Sequence, residues 1–226
     1  MSLWSRILDL LAGLAPGEAL SALFDRLRAP PERSVAFTIA VIALSAKMAK
    51  ADGQVTRAEV AAFREVFVIP PAEADNAARV FDMARTDVAG FEHYARRIGT
   101  LFRGDPQTLR DLMEGLFHIA VADGAYHPAE DDFLSRVAQI FRIPEREFRS
   151  LRARFVPGQE PDCHEVLGVT PDAPMEEIRA AWRAAVRETH PDRLMARGLP
   201  EEAVKLAEKR LVAINRAWEQ IQAGAA

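Results

Sequence analysis

Apolar residues recur at three- and four-residue steps along almost the whole chain and nowhere alternate with a sustained period of two, which predicts helices and no sheet. Residues 3–14 gather Trp4, Ile7, Leu8, Leu11 and Leu14 on one stripe, Pro16-Gly17 interrupts it, and Leu20, Leu23, Phe24 and Leu27 form a second stripe. Residues 1–33 therefore read as an amphipathic helical segment. Two placements stay open: docking on the protein's own core, or lying in a membrane interface with Trp4 and Arg6 near the headgroups. The longest strongly apolar uncharged run, Ser34 to Ala46, has 13 residues. A bilayer-spanning helix needs roughly 20, so this run reads as a buried helix. Arg6 and Asp9 break the apolar character of the N-terminus, and no secretory signal is read there.

From Ser34 to Phe155 helical patterns are punctuated by Pro, Gly and Asp. Thr56-Arg57-Ala58-Glu59 is a capping box, Asp105-Pro106 supplies an N-cap followed by a first-turn proline, and Pro71, Pro128 and Pro144 mark further starts. An internal repeat organises this region: Ala51-Asp52-Gly53 with Ala58-Glu59 recurs as Ala122-Asp123-Gly124 with Ala129-Glu130. Ile69-Pro70 matches Ile143-Pro144 three residues out of step. Each copy reads as helix, glycine stop, turn and capped helix, and two such units can bury their apolar faces against one another in a bundle.

Val156-Pro157-Gly158-Gln159-Glu160-Pro161 is the strongest candidate boundary. The predicted organisation is an amphipathic segment (1–33), a helical domain (34–156), a linker (157–161) and a small helical domain (162–226). In the last, a short helix stops at Gly168, a longer one covers Met175 to Thr189, and a third runs from about Glu201 to Gln222. Ile178, Ala181 and Ala185 face Leu211, Ile214, Trp218 and Ile221, giving two antiparallel helices joined by a loop from His190 to Pro200. Pro191 lacks an amide donor and disfavours helical backbone at His190, so His190-Pro191-Asp192 is a fixed kink at the hairpin tip. Arg179, Arg183 and Arg187 recur every four residues and form one basic ridge leading to it.

Charge and composition narrow the functional classes. The 29 basic and 33 acidic side chains leave a net charge of -4, without the positive excess that drives non-specific binding to nucleic acid. The single cysteine, Cys163, excludes an intramolecular disulfide and a Cys-built zinc cage. No histidine has metal-ligand spacing, no glycine-rich phosphate loop is present, and no active site is assigned.

Residues 162–222 resemble a J-domain, the module by which DnaJ-type cochaperones act on DnaK-type chaperones. The likeness rests on Asp162-Cys163-His164-Glu165-Val166-Leu167-Gly168-Val169, Ile178-Arg179-Ala180-Ala181-Trp182-Arg183, His190-Pro191-Asp192 and Ile214-Asn215-Arg216-Ala217-Trp218. The long segment Arg193 to Pro200 is similar to that of the DjlA branch, which also carries an upstream domain similar to the tellurite-resistance protein TerB, here resembled by the Ala-Asp-Gly repeat. The resemblance implies an all-α protein: a TerB-like bundle of two pseudo-repeats with a small C-terminal J-domain hairpin. It further implies that His190, Pro191, Asp192, Arg179, Trp182, Arg183 and Arg187 meet a DnaK-type partner and promote its ATP hydrolysis. Trp182, Trp218, Ala184 and Cys163 depart from residues usual in the family and are expected to tune affinity or partner choice.

The acidic residues of the repeat, Asp52 with Glu59 and Asp123 with Glu130, carry a divalent-metal reading implied by the TerB resemblance, set against helix termination at Gly53 and Gly124 and capping by Glu59. An EF-hand is excluded, because counting from Asp52 puts Arg57 at the glycine position and Phe63 at the closing glutamate. The expected protein is a cytoplasmic cochaperone that recruits or positions clients through its bundle, with no cofactor apart from that metal. Peripheral contact with the inner membrane through residues 3–28 and homodimerisation stay open. The main alternative is a metal-responsive or membrane-associated scaffold whose hairpin is a simple binding module.

Overall fold

Helix α3 (Glu32–Asp52) is apolar all round rather than on one stripe, and every side chain from Val35 to Ala49 is buried. In the computed structural model, which describes residues 3–14, 23–27, 32–52, 69, 74–86, 90–156, 162–199 and 201–224, this helix is the axis of the larger unit. Around it pack α1 (Leu3–Ala12), α4 (Ala74–Thr86), α5 (Phe91–Leu101), α6 (Pro106–Ala120) and α7 (Pro128–Phe141). The cation of the buried Lys47 is accommodated over the Tyr94 ring, 5.1 Å from its centroid. Ile7 of α1 and Leu23, Phe24 and Leu27 in and beside α2 (Leu23–Arg26) are buried in the same core, with Leu10, Leu11 and Leu14 packed against it. The described part of the N-terminal stripe is thus covered by the protein itself. Leu20 and the side chains of Trp4 and Leu8 lie outside the described residues.

Local chemistry sets the helix ends. Asp105 caps α6 by accepting from the Thr108 amide at 3.2 Å, with Pro106 in the first turn. After α6 the chain turns through Gly124 at φ 84° and enters α7 through His127 and Pro128, and Glu130 accepts from the His127 amide at 2.8 Å. The second copy of the repeat is therefore helix, glycine stop, turn and capped helix, and Glu130 performs the capping expected of its counterpart Glu59. The first copy beyond Asp52, with Gly53, the Thr56–Glu59 box and Pro71, lies outside the described residues, as does the whole of the 157–161 linker. At the end of α7 a non-glycine residue, Arg142, takes the left-handed conformation (φ 59°), and the Ile143 amide donates to the Ala138 carbonyl at 2.9 Å. Helix α8 (Glu145–Phe155) completes the unit.

The smaller core joins Val166 and Leu167 of α9 (Cys163–Leu167), Val169, Ile178 of α10 (Met175–Thr189), and Ile214, Ala217, Trp218 and Ile221 of α12 (Glu201–Gly224). Arg179 meets Trp218 and Trp182 meets Asn215, so α10 and α12 run antiparallel as the spacing predicts. No strand occurs among the described residues. Two features depart from the sequence reading. The segment read as a loop from His190 to Pro200 contains a helix, α11 (Pro191–Ala196), because the proline that stops α10 also suits the first position of a new helix. The second departure is that Leu194, Leu199, Ala203, Leu206 and Ala207 are buried in the larger core, not the smaller one. Helix α12, ~36 Å long at 1.5 Å per residue, is shared: its first half packs against the bundle and its second half builds the hairpin.

Candidate partner-binding site

His190 ends α10 and caps α11 in one step. Its backbone is extended (φ -61°, ψ 129°), as the following proline requires, and its Nδ1 accepts from the Asp192 amide at 3.3 Å. With Nδ1 occupied as an acceptor, the neutral ring carries its proton on Nε2 and offers a donor there. The Asp192 carboxylate lies 3.6 Å from Nδ1. Both side chains face solvent, that of His190 57% exposed and that of Asp192 79% exposed. The corner is thus rigid in backbone and open in side chain, with an acceptor and a donor displayed side by side.

Arg179, Arg183 and Arg187 are exposed along α10, spanning ~12 Å by helical rise. Arg179 also stands over the Trp218 ring at 6.0 Å. Trp182, placed by sequence in the same partner-binding set, does not join the ridge. It is half-buried, stacked on Trp218 with ring centroids 5.0 Å apart and an interplanar angle of 12°, and its Nε1 donates to Asn215 at 3.0 Å. The indole is cemented between the hairpin helices because an aromatic pair gains from stacking and the N–H finds an acceptor. Cys163 sits at the other edge of this core and its thiol donates to Gln220 at 2.9 Å.

A charged cluster that no motif announced joins the two units behind this site. Asp111 and Glu114 of α6 are 3% and 1% exposed. Arg197, just after α11, reaches Asp111 Oδ2 at 3.0 Å and donates to the Thr108 hydroxyl at 2.8 Å. Arg210 of α12 lies 2.7 Å from Asp111 Oδ1 and 2.9 Å from Glu114 Oε2, and Arg154 of α8 lies 3.1 Å from Glu114 Oε1. The Glu114 contacts are ion pairs that are not aligned as hydrogen bonds. Burial pushes the Glu114 carboxyl above its ordinary range against the pull of Arg210 and Arg154, and burial lowers Arg154 likewise. Burial also opposes the charge on Arg210, but Glu114 and Asp111 outweigh it and hold the guanidinium above its usual value. For Asp105, burial is outweighed by the Thr108 hydroxyl and Arg197, which keep the carboxyl below its ordinary range. Three acids (Asp105, Asp111, Glu114) against three arginines (Arg154, Arg197, Arg210) make the cluster neutral. Such a network contributes little net stability but strongly penalises any arrangement that leaves one charge unpaired, which favours a single registry. The signal in the sequence was two carboxylates one turn apart among Leu109, Leu112, Met113, Leu116 and Phe117.

The acidic residues of the repeat do not present an open ligand set. Asp123 accepts from the Ala125 amide at 2.9 Å, and Glu130, 3% exposed, is taken up by the His127 amide. Among the described residues no three His, Cys, Asp or Glu side chains converge in a way that could hold a metal ion. Glu59 and the Asp52 side chain lie outside the described residues. No described helix is long and apolar enough to cross a membrane.

An exposed His-Pro-Asp corner at the tip of a basic helical hairpin is the arrangement of a J-domain, so fold and site together define a J-domain protein carrying a second helical domain. Residues 162–223 match the DnaJ domain family, and residues 38–153 match the family described as tellurite resistance protein TerB. The chain is 30% identical over 223 residues to the co-chaperone protein DjlA of Vibrio cholerae, covering 84% of this chain and 78% of the relative. It is 27% identical over 217 residues to that of Photobacterium profundum, with the same coverage, and 26% identical over 245 residues to that of Escherichia coli K12, covering 97% of this chain and 90% of the relative. No solved structure matches the chain. The chain belongs to the DjlA co-chaperone family.

Proposed function

We propose that this chain stimulates ATP hydrolysis by a DnaK-type chaperone, with the corner His190-Pro191-Asp192 as the trigger and Arg179, Arg183 and Arg187 as the docking ridge. The observation that carries this reading is the solvent exposure of the His190 and Asp192 side chains on a backbone corner held by Pro191 and by the His190 cap. A rigid display costs little ordering on binding, and a cationic ridge steers and orients an acidic partner. The chain's own groups supply no bond-breaking step; the hydrolytic machinery resides in the partner. The TerB-like domain localises or delivers clients to the same partner.

The test is a steady-state ATPase assay of the partner with the full chain. Wild type accelerates hydrolysis, and His190→Gln removes the acceleration with an unchanged thermal melt. A wild-type chain without effect refutes the proposal, and the hairpin then reads as a simple binding module.

A further inference from the structure

Helix α11 has two faces with different duties. Outward are His190 and Asp192 at its start; inward, within one or two turns, are Leu194 at 0% exposure, Leu199 at 7% and Arg197 at 21% side-chain exposure. The inward groups do not touch the hairpin's own core. Leu194 and Leu199 belong to the core of the bundle, Arg197 forks onto Asp105, Thr108 and Asp111 of its α6 region, and the Gly198 carbonyl accepts from Ser34 of α3 at 2.8 Å. Further along the hairpin the two units part. A cleft of about 390 Å³, lined by Arg110, Glu147, Ala181 and Glu188 among others, separates α6 and α8 from α10. They meet again at α9, where Ser150 donates to the Val166 carbonyl at 3.0 Å. The tip of the hairpin is thus fixed to the bundle by α11 and the start of α12.

We infer that Arg197, backed by Arg210, is a positioning residue for the reaction of the partner: it seats α11 on the TerB-like domain and thereby sets the attitude of His190 and Asp192. This rests on the function proposed above. A six-residue helix is too short to hold itself in water, so the side chains on its outer face keep their orientation only while its inner face is seated. The TerB-like domain is then part of the trigger's mounting as well as a separate recruiting module. Arginine suits the role because its rigid planar fork holds N–H donors towards two carboxylates and a hydroxyl at once, whereas a lysine would offer three donors from a single, strongly hydrated nitrogen on a flexible stem.

The experiment uses the full chain and two readouts. Hydrogen exchange over residues 193–199 reports seating, since the Arg197 and Leu199 amides donate within that turn. Titration of the chain against the partner's ATPase separates half-maximal concentration from maximal stimulation. If Arg197→Met lowers the seated fraction to about one in ten, exchange there speeds up and the half-maximal concentration rises about tenfold, while maximal stimulation is retained. Arg197→Lys gives an intermediate result. Arg210→Met, deeper in the cluster, follows the same pattern if its melt shows a folded protein; if it does not fold, the Arg197 pair carries the test. Unchanged exchange in Arg197→Met overturns the anchoring role. Faster exchange with an unchanged half-maximal concentration overturns the positioning role. A wild-type chain that does not stimulate at all defeats the proposed function instead, and the exchange measurement then still reports whether Arg197 seats the helix.

Discussion

Replacing Trp182 tests whether its indole is cement or contact surface. In Trp182→Ala the stack on Trp218 is lost, worth about 0.5–1.5 kcal/mol beyond burial, together with the hydrogen bond to Asn215, worth about 1 kcal/mol. A fully buried tryptophan truncated to alanine costs about 3–5 kcal/mol. Because Trp182 is only half-buried, we expect about 2–3 kcal/mol, scaled from the same series. Trp182→Phe keeps a ring against Trp218 and loses only the N–H donor, for about 1 kcal/mol. Denaturant unfolding followed by near-UV circular dichroism reads both, since two of the three tryptophans form the stacked pair. The partner's ATPase, measured with saturating chain, reads the other side: Trp182→Phe should stimulate to the wild-type maximum. A Trp182→Phe protein of wild-type stability that no longer stimulates would refute the packing argument and return Trp182 to the contact surface.

Reversing the ridge (Arg179→Glu, Arg183→Glu, Arg187→Glu) should lower the association rate with a DnaK-type partner about tenfold at low salt, converging with wild type as ionic strength rises; an equal deficit at all salt concentrations would point to short-range contacts instead. Asp105 has a folded-state pKa below its ordinary value of 3.8, so its contribution is present above that value and is lost as pH falls through the lower folded one. Asp105→Asn keeps an N-cap and should flatten the acid limb of a urea-midpoint titration below the ordinary carboxyl value of 3.8; an equally steep limb would contradict the assignment. Gly124→Ala, at φ 84°, should destabilise by about 1 kcal/mol, and Arg142→Gly, at φ 59°, should stabilise by a similar amount, both read from thermal melts. Two shifts of the same sign would be inconsistent with these conformations.

Much of this architecture is written locally. The cap at Asp105, the stop at Gly168 and the break at His190 depend on residues within one turn of each other, and spacing alone announces them. The pairing of α10 with α12 was legible because its apolar stripe recurs at a regular step. The seating of residues 194–207 in the bundle was not, because Leu194, Leu199 and Leu206 look equally suited to either core, and only the three-dimensional path of α12 decides between them. Proline at 191 was read as an ending and is also a beginning, since the same fixed φ that stops one helix suits the first turn of the next. Trp182 lies one position from Ala181 and Arg183, and an aromatic at the border of an apolar stripe can turn to either side; its neighbour across the hairpin, Trp218, turns it inward. The ionic cluster was invisible for a different reason: its members are spread from Asp105 to Arg210, and no short-range rule links them.

Helix α12 has a consequence for anyone who would cut this protein apart. The Pro-Gly stretch near residue 157 looks like a natural scissor point, yet a fragment starting there would carry away Leu194, Leu199, Ala203 and Leu206 with nothing to cover them, and would leave Asp111 and Glu114 behind without their arginines from the other side. Transplanting the hairpin onto another scaffold should therefore yield a sticky, poorly behaved piece, whereas a chimera that exchanges the hairpin's far end, beyond Ile214, should keep its solubility.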